Sequence, residues 1–204
     1  MISLFLIQLR SYSPIVPTRL HRYDFPGLMH FWTFSTYRRL TFFWHDAIKQ
    51  IAVDGLRHLQ SKFSICLVGY VIMPEHLHVL LYPHARGEPT PQPISKLLHA
   101  FKRKVGQEGK KALKQFARED RPWAEPIRQW MQADEPFFQT RGYDFNVETH
   151  DKLIEKLNYC HKNPLTRRPV TDAADWHWNS YRYYGFDDET VLRMDWDWAW
   201  PIRW

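Results

Sequence analysis

Residues 69–82 read Gly-Tyr-Val-Ile-Met-Pro-Glu-His-Leu-His-Val-Leu-Leu-Tyr, and the rest of the chain is organised around this stretch. Two apolar runs, Ile65–Met73 and Leu77–Tyr82, flank a Pro-Glu corner and predict an antiparallel pair of strands. His76 and His78 are two residues apart, so on a strand both imidazoles point to the same face. Such a pair can hold a divalent metal at two adjacent positions. The alternative is a pair of partly buried, hydrogen-bonded structural histidines.

The segments on either side predict a mixed fold. Met29–Thr36 alternates aromatic and polar residues, which is typical of a strand. Apolar residues at helical spacing predict helices from about Trp44 to Ser61 and from Ile94 to Val105. Ile127–Gln132 and Phe137–Thr140 are predicted as short strands. Because the strand pairs are joined by short links, an α+β fold with an antiparallel sheet is favoured over a doubly wound sheet.

Composition narrows the class of partner. The chain has 204 residues, 44% of them hydrophobic, which is ample for a core, and a formal net charge of +6. This charge favours a polyanionic partner, with nucleic acid first and an anionic membrane second. The two cysteines, Cys66 and Cys160, lie inside apolar patterns, so we expect a reducing compartment and no disulfide framework. The opening segment does not resemble a signal peptide, and we expect a soluble, cytoplasmic protein.

A strongly basic segment follows the His pair. From Lys96 to Arg118 the sequence carries eight Lys or Arg residues and one acid, Glu108. This charge run is either a solvated helix face or a face that contacts phosphates, and its one-sidedness makes both equally plausible.

A second segment that bears on chemistry surrounds Tyr159. Thr149 is a candidate N-cap for a helix that runs to about Lys162, where Asn163-Pro164 is expected to end it. Tyr159 falls nearly opposite the apolar side of this helix, and Asn163, four residues on, shares its face. Tyr159 is thus either an ordinary exposed tyrosine or a reactive one.

The two segments are chemically complementary. A tyrosine hydroxyl is a weak nucleophile at neutral pH, so cleaving a phosphodiester with it requires a more reactive electrophile. A bound Mg²⁺ or Mn²⁺ that polarises the phosphate supplies this. Two His ligands plus an amide or carboxylate oxygen suit either ion and leave positions for phosphate oxygens.

Four motifs in order then resemble a known family. His76-Leu77-His78 follows Tyr70-Val71-Ile72-Met73-Pro74, and Tyr159-Cys160-His161-Lys162-Asn163-Pro164 comes later. Between and after them lie Phe138–Asp144 and Asp175–Tyr184. Together these motifs resemble the single-tyrosine HUH transposases and, more closely, the REP-associated tyrosine transposases. The resemblance covers roughly residues 28–184.

The resemblance implies a fold, an activity and a set of roles. The implied fold is a ferredoxin-like antiparallel sheet backed by helices. His76, His78 and Asn163 become the ligands of Mg²⁺ or Mn²⁺, and Tyr159 becomes the nucleophile. The implied enzyme is a metal-dependent transposase that cleaves and rejoins single-stranded hairpin (REP-like) DNA through a covalent 5′-phosphotyrosine. REP-associated relatives imply a monomer, whereas insertion-sequence relatives imply a homodimer.

The resemblance and the charge pattern together give a domain division and a set of candidate DNA contacts. We expect an N-terminal arm at 1–27, the HUH transposase domain at 28–184 and a Trp-rich acidic tail at 185–204. The tail either packs its tryptophans over an apolar surface or lies over the DNA-binding face. Glu75 is expected to face away from both histidines. The candidate phosphate contacts are Arg38, Arg39, Lys96, Lys102, Arg103, Lys104, Arg141, Lys162, Arg167 and Arg168.

Two alternatives belong to other functional classes. A catalytically silent hairpin DNA-binding protein would keep the fold and the basic face, but such a protein should have lost at least one of the four site residues. A structural zinc protein is disfavoured because no cysteine lies near the His pair to complete a tetrahedral site.

Overall fold

A computed structural model of the chain describes residues 28–83, 91–118, 124–167, 169–189 and 191–195. The strands are β1 (Met29–Ser35), β2 (Cys66–Met73), β3 (His76–Tyr82) and β4 (Tyr143–Val147). The helices are α1 (Asp46–Phe63), α2 (Ile94–Phe116), α3 (Ala124–Gln132), α4 (His150–Arg167) and α5 (Tyr181–Phe186). The predicted arm, residues 1–27, lies outside the described residues.

Within the described ranges, the strands form one antiparallel sheet in the order β2-β3-β1-β4. The chain makes β1, crosses through α1 to β2, turns directly into β3, and returns through α2 and α3 to β4. This is the split βαβ arrangement of a ferredoxin-like fold, with α4 added after β4. The predicted α+β fold class is confirmed.

The two faces of the sheet are covered by different helices. Trp32 and Phe34 of β1 and Leu77 of β3 pack with α1 and α2. The alternate residues, such as Phe31 of β1, pack instead with the apolar side of α4, where Leu157 lies. Because strand residues alternate between faces, His76 and His78 lie on the α4 face.

Local signals explain where α1 begins and ends. The ring of His45 accepts a hydrogen bond from the backbone N–H of Ala47, which caps the first turn. Ser64 adopts a left-handed conformation with φ of 49° and terminates the last turn. Between them, Ile48, Ala52 and the other apolar residues at helical spacing are buried against the sheet and α2.

Three predicted boundaries between Val105 and Val147 are wrong. The predicted strand Ile127–Gln132 belongs to α3, which buries Ile127 and Trp130 at helical spacing. The predicted strand Phe137–Thr140 is reduced to a single β-bridge between Phe138 and Thr36. The strand of this region, β4, begins later, at Tyr143. Helix α2 continues past Val105 to Phe116, with Leu113 buried in the core and Gly109 so close to Phe137 that an added Cβ would lie 2.5 Å from its ring.

Helix α4 also exceeds its predicted end. Asn163-Pro164 does not terminate it, and the helix continues to Arg167 with Pro164 buried inside it. Proline removes one helical hydrogen bond, but burial of its ring and the bond from Thr166 Oγ1 to the Lys162 carbonyl (3.1 Å) support the last turn. The longer helix keeps Asn163 in regular helical geometry one turn after Tyr159.

The described part of the tail packs against the β2 edge. Leu192 and Met194 are buried in the core formed with α1 and α2. The Asp195 backbone N–H donates to the Leu67 carbonyl (2.8 Å), and the Asp195 carboxylate accepts from the Leu67 N–H (3.0 Å). Residues 196–204 lie outside the described residues. In the described part of the chain, no helix combines the length and apolar character that a bilayer crossing requires.

Candidate active site

The His pair lies buried in the centre of the sheet. His76 and His78 are 2% and 4% exposed, and their ring centroids are 4.9 Å apart with the planes at 77°. His78 is opposite Thr33 of β1 and Val71 of β2 in the strand register. The corner before His76 is fixed because the Thr36 backbone N–H donates to the Glu75 carbonyl (3.1 Å). Both imidazoles are therefore held by a rigid strand, as the sequence predicts.

Each imidazole is oriented through its Nδ1 atom. His78 Nδ1 lies 2.8 Å from Thr33 Oγ1, and His76 Nδ1 lies 3.0 Å from Glu75 Oε1. Arg39 in turn donates to the Glu75 carboxylate at 2.9 Å. A proton on each Nδ1 leaves the Nε2 lone pairs available to a metal, which is the arrangement found around metal-ligating histidines. The expectation that Glu75 faces away from both histidines is wrong, because the chain turns before His76 and brings its carboxylate to that ring.

Burial keeps both rings neutral near neutral pH. Desolvation lowers the pKa of His78 to about 3, helped by the neighbouring His76 and Arg167. Desolvation also lowers the pKa of His76, although the negative charge of Glu75 opposes that shift. A neutral imidazole is the form that binds a metal.

Helix α4 brings Tyr159 over the His pair. The helix starts as predicted, because Thr149 Oγ1 accepts the Lys152 backbone N–H at 3.2 Å. The Tyr159 ring is 47% exposed, and its centroid lies 5.0 Å from that of His78 and 6.0 Å from that of Phe31. The nucleophile predicted from sequence therefore contacts a predicted ligand and remains open to solvent.

Three buried atoms at this site lack a hydrogen-bond partner among the described residues: His76 Nε2, His78 Nε2 and Asn163 Oδ1. Buried polar atoms without partners are rare and costly, so each calls for an explanation. All three present a lone pair, and two imidazole nitrogens with one amide oxygen are a donor set that Mn²⁺ or Mg²⁺ accepts. The residues therefore fit a divalent metal. The described residues contain no cluster of three or more His, Cys, Asp or Glu that could hold a metal, so a third donor of another type is required, and the Asn163 amide is the candidate that the sequence predicts.

A buried network fixes α4 against the sheet. His161 Nε2 lies 3.0 Å from Ser180 Oγ, and the Tyr70 backbone N–H donates to the same oxygen at 3.1 Å. Burial lowers the pKa of His161 to about 4, so this ring is neutral and structural. Gly69 permits the close approach of the helix, since an added Cβ would lie 2.7 Å from Leu157 Cδ1. The segment around Ser180 thus sets the position of Tyr159 and Asn163.

The predicted phosphate contacts fall into two groups. Arg39 and Arg167 lie close enough to the His pair for their charges to lower the His78 pKa, and Lys162 is exposed on α4. Lys96, Lys102, Arg103 and Lys104 are on α2, on the opposite side of the sheet. Arg38 is exposed in the turn after β1, Arg141 is exposed before β4, and Arg168 lies outside the described residues.

Lys156 is a site residue that the sequence reasoning missed. It lies one turn before Tyr159, and its Nζ is 4.7 Å from the ring centroid of Phe145 and 5.6 Å from that of Phe31. Its position three residues before Tyr159 places both side chains on one face of the helix, and this spacing is the sequence signal for its place beside the site.

An open groove of about 510 Å³ runs between α2 and the segment before β4. Its walls combine cationic and apolar residues, which are His99, Lys102, Arg103, Gln107, Lys110 and the stretch from Pro136 to Thr140. Lys102 ties the two walls together, because its Nζ donates to the Gln139 carbonyl at 3.0 Å.

No protein-family model matches the sequence, and no curated protein sequence matches it. Among solved structures, the chain is similar to a REP-associated tyrosine transposase bound to a REP hairpin, with a TM-score of 0.60 and 15% identity over 88% of this chain and 91% of that one. It is also similar to a protein from Deinococcus radiodurans R1 that is described as a transposase, with a TM-score of 0.43 and 16% identity over 68% and 92% of the two chains. The second score is too low to establish a common fold.

The fold is thus that of the HUH transposases, an antiparallel α+β sheet with helices. Within this class, the architecture matches that of a REP-associated tyrosine transposase, as the motifs predict.

Proposed function

We propose that the protein is a metal-dependent DNA strand transferase that cleaves and rejoins single-stranded hairpin DNA through Tyr159. The observation that carries this proposal is the pair of buried imidazoles with unpartnered Nε2 atoms, with the exposed Tyr159 ring 5.0 Å from that of His78 and the unpartnered Asn163 Oδ1 one turn further along α4. Other buried atoms of the described residues, namely His30 Nε2, Trp32 Nε1, Tyr70 Oη and Asn179 Nδ2, also lack partners, so the proposal depends on the position of the two Nε2 atoms next to Tyr159 rather than on missing partners alone.

The proposed reaction is the one that the family resemblance implies for an exposed tyrosine hydroxyl. Tyr159 Oη attacks the phosphorus of a single-stranded DNA backbone, and its proton passes to solvent. The Oη–P bond forms as the P–O3′ bond breaks, which leaves a 5′-phosphotyrosine and a 3′-oxygen that is protonated to a hydroxyl. A 3′-hydroxyl from another strand reverses these bonds and restores Tyr159, so no external energy source is needed.

His76, His78 and Asn163 would hold Mg²⁺ or Mn²⁺. When bound there, the ion supplies Lewis-acid polarisation of the phosphate oxygens. Thr33 and Glu75 keep the two imidazoles in the required tautomer and orientation. Phe31, stacked on His78 with ring centroids 5.3 Å apart, limits movement of that ring and excludes water from one side.

The cations around the site account for recognition of the DNA backbone. Lys156, Arg39 and Arg167 border the His pair and are placed to neutralise phosphates next to the scissile bond. The basic side of α2 offers a second, more distant set of phosphate contacts. A hairpin partner is supported by the similar structure, which is that of a transposase bound to a REP hairpin. We further propose that the protein acts as a monomer in the cytoplasm, where such DNA is found.

The second candidate function is a catalytically silent hairpin-binding protein. It is favoured by the extended basic side of α2, which needs no catalysis to explain it. It leaves unexplained why two neighbouring imidazoles keep unpartnered Nε2 atoms next to the exposed ring of Tyr159.

A cleavage assay separates the two functions. The substrate is labelled single-stranded hairpin DNA taken from beside this protein's own gene, incubated with Mn²⁺ or Mg²⁺. We expect wild-type protein to release a fragment ending in a 3′-hydroxyl and Tyr159→Phe to bind without cleaving. Binding by both proteins with no fragment at any metal concentration would favour the silent binder.

A further inference from the structure

The α4 face of the sheet carries a continuous layer of aromatic rings that begins at the candidate active site. His78 stacks on Phe31 with a 13° angle between the planes, and Phe31 is opposite Phe145 in the strand register. Tyr143 stacks on Phe145 at a centroid distance of 6.3 Å and a 16° angle. We call these four rings, His78, Phe31, Phe145 and Tyr143, the aromatic row.

Tyr143 is the exposed end of this row. It is 44% exposed, on β4 at the edge of the sheet, whereas His78 at the other end is buried. Both residues are opposite Thr33, one on each side, so Tyr143 lies two strand spacings, or about 10 Å, from His78.

The charges beside the row suit a nucleic-acid backbone. Lys156 Nζ lies over both Phe145 and Phe31, and Arg141 is exposed two residues before Tyr143. An exposed ring flanked by cations is the arrangement with which proteins hold unpaired bases, because the base stacks on the ring while the cations contact its phosphates.

We propose that Tyr143 is the stacking platform for one unpaired nucleobase of the single-stranded flank next to the scissile phosphate. The proposal rests on the function proposed above. It adds the direction in which the single-stranded DNA flank leaves the candidate active site. The flank runs from Tyr159 past Lys156 to the β4 edge, where Arg141 is exposed. Tyr143 is a positioning residue for the substrate and takes no part in bond breaking.

The test measures stacking independently of cleavage. The protein is the full chain carrying Tyr159→Phe, without added metal, so that binding can be followed with no reaction. The probe is a DNA hairpin with an unpaired flank from beside the gene, in which 2-aminopurine replaces one flank nucleotide at a time. Stacking of the probe base on an aromatic ring quenches its fluorescence.

We expect quenching at one or two adjacent flank positions. Tyr143→Ala should abolish this quenching and weaken binding of the flanked hairpin roughly tenfold, while Tyr143→Phe should retain both. A blunt hairpin with no flank should bind Tyr143→Ala as well as it binds the unsubstituted protein. The matched control is Phe186→Ala, which removes a ring that is 59% exposed on α5, and should change nothing.

Three outcomes would overturn the proposal. Quenching that survives in Tyr143→Ala would place the base elsewhere, and equal losses for flanked and blunt hairpins would indicate a structural effect. Cleavage by the wild-type protein with unchanged flank affinity in Tyr143→Ala would reject the platform while leaving the strand transferase intact. Lack of binding to any of these DNAs would contradict both proposals together.

Discussion

The ring of Tyr159 lies 5.0 Å from the ring of His78, with the two planes at 76°. This contact joins the exposed candidate nucleophile to a buried candidate ligand across the boundary between α4 and β3. The Tyr159 ring is also 47% exposed, so the contact leaves it open to solvent.

Removal of one imidazole should abolish metal binding. In wild-type protein, Mn²⁺ at about 100 times its dissociation constant should raise the free energy of unfolding by about 2.7 kcal/mol. His78→Ala should lose this increment because only one imidazole and the Asn163 amide remain. Denaturant unfolding with and without Mn²⁺ measures it. The control, His58→Ala on α1, should keep the full increment, and an equal increment in His78→Ala would contradict the assigned ligands.

Glu75 should tune the affinity for the metal without binding it. Glu75→Gln keeps a hydrogen-bond acceptor for His76 Nδ1 but removes the negative charge shared with Arg39. We expect Mn²⁺ affinity to fall about 10- to 100-fold, the range typical of residues that orient metal ligands. Calorimetric titration provides the measurement. Asp54→Asn, which removes an exposed carboxylate on α1, serves as the comparison, and an affinity equal to wild type in Glu75→Gln would reject the role.

Ser180 should contribute to stability through the network below α4. Ser180→Ala removes the oxygen that receives the Tyr70 N–H and contacts His161, and leaves both groups buried without that partner. The free energy of unfolding should fall by about 1–3 kcal/mol. Ser61→Ala, at an exposed position on α1, should change it by less than about 0.5 kcal/mol. If the two variants were equally stable, the network would not be what holds α4.

The helices and strands differ in how well the sequence alone predicts them. The first three strands and α1 were predictable because their apolar residues follow clean strand and helix periods. β4 gives no clear strand signal because Tyr143–Val147 is short and mixes aromatic with polar residues, and the sequence of α3 predicts a strand because its few apolar residues fit either period.

The residues of the candidate site also differ in how far the sequence predicts them. His76, His78, Tyr159 and Asn163 lie within two segments whose local geometry the sequence predicts, and the family resemblance implies that the two segments meet. Thr33 acts on His78 across the pairing of β1 with β3, and Glu75 reaches the ring of its neighbour His76 because the chain turns there. These two contacts leave no periodic signal in the sequence, whereas Lys156 is indicated by its spacing of three from Tyr159.

The basic side of α2 should contribute to DNA affinity in a salt-dependent way. Arg103→Gln should weaken binding of hairpin DNA and reduce the slope of log affinity against log salt by about 0.7–0.9, the value for one lost phosphate contact. Binding measured over a salt series tests this. Arg57→Gln, on α1 and paired with Asp54, should leave the slope unchanged. An unchanged slope in Arg103→Gln would show that α2 is only a solvated helix face.

The most direct test of the central claim identifies the residue that becomes joined to DNA. Wild-type protein is incubated with the single-stranded hairpin and Mn²⁺, denatured and digested, and the peptides are sequenced by mass spectrometry. We predict a nucleotide 5′-phosphate attached to Tyr159, formed only with metal and absent from Tyr159→Phe. A modified peptide containing another tyrosine, or an adduct that persists in Tyr159→Phe, would contradict the account.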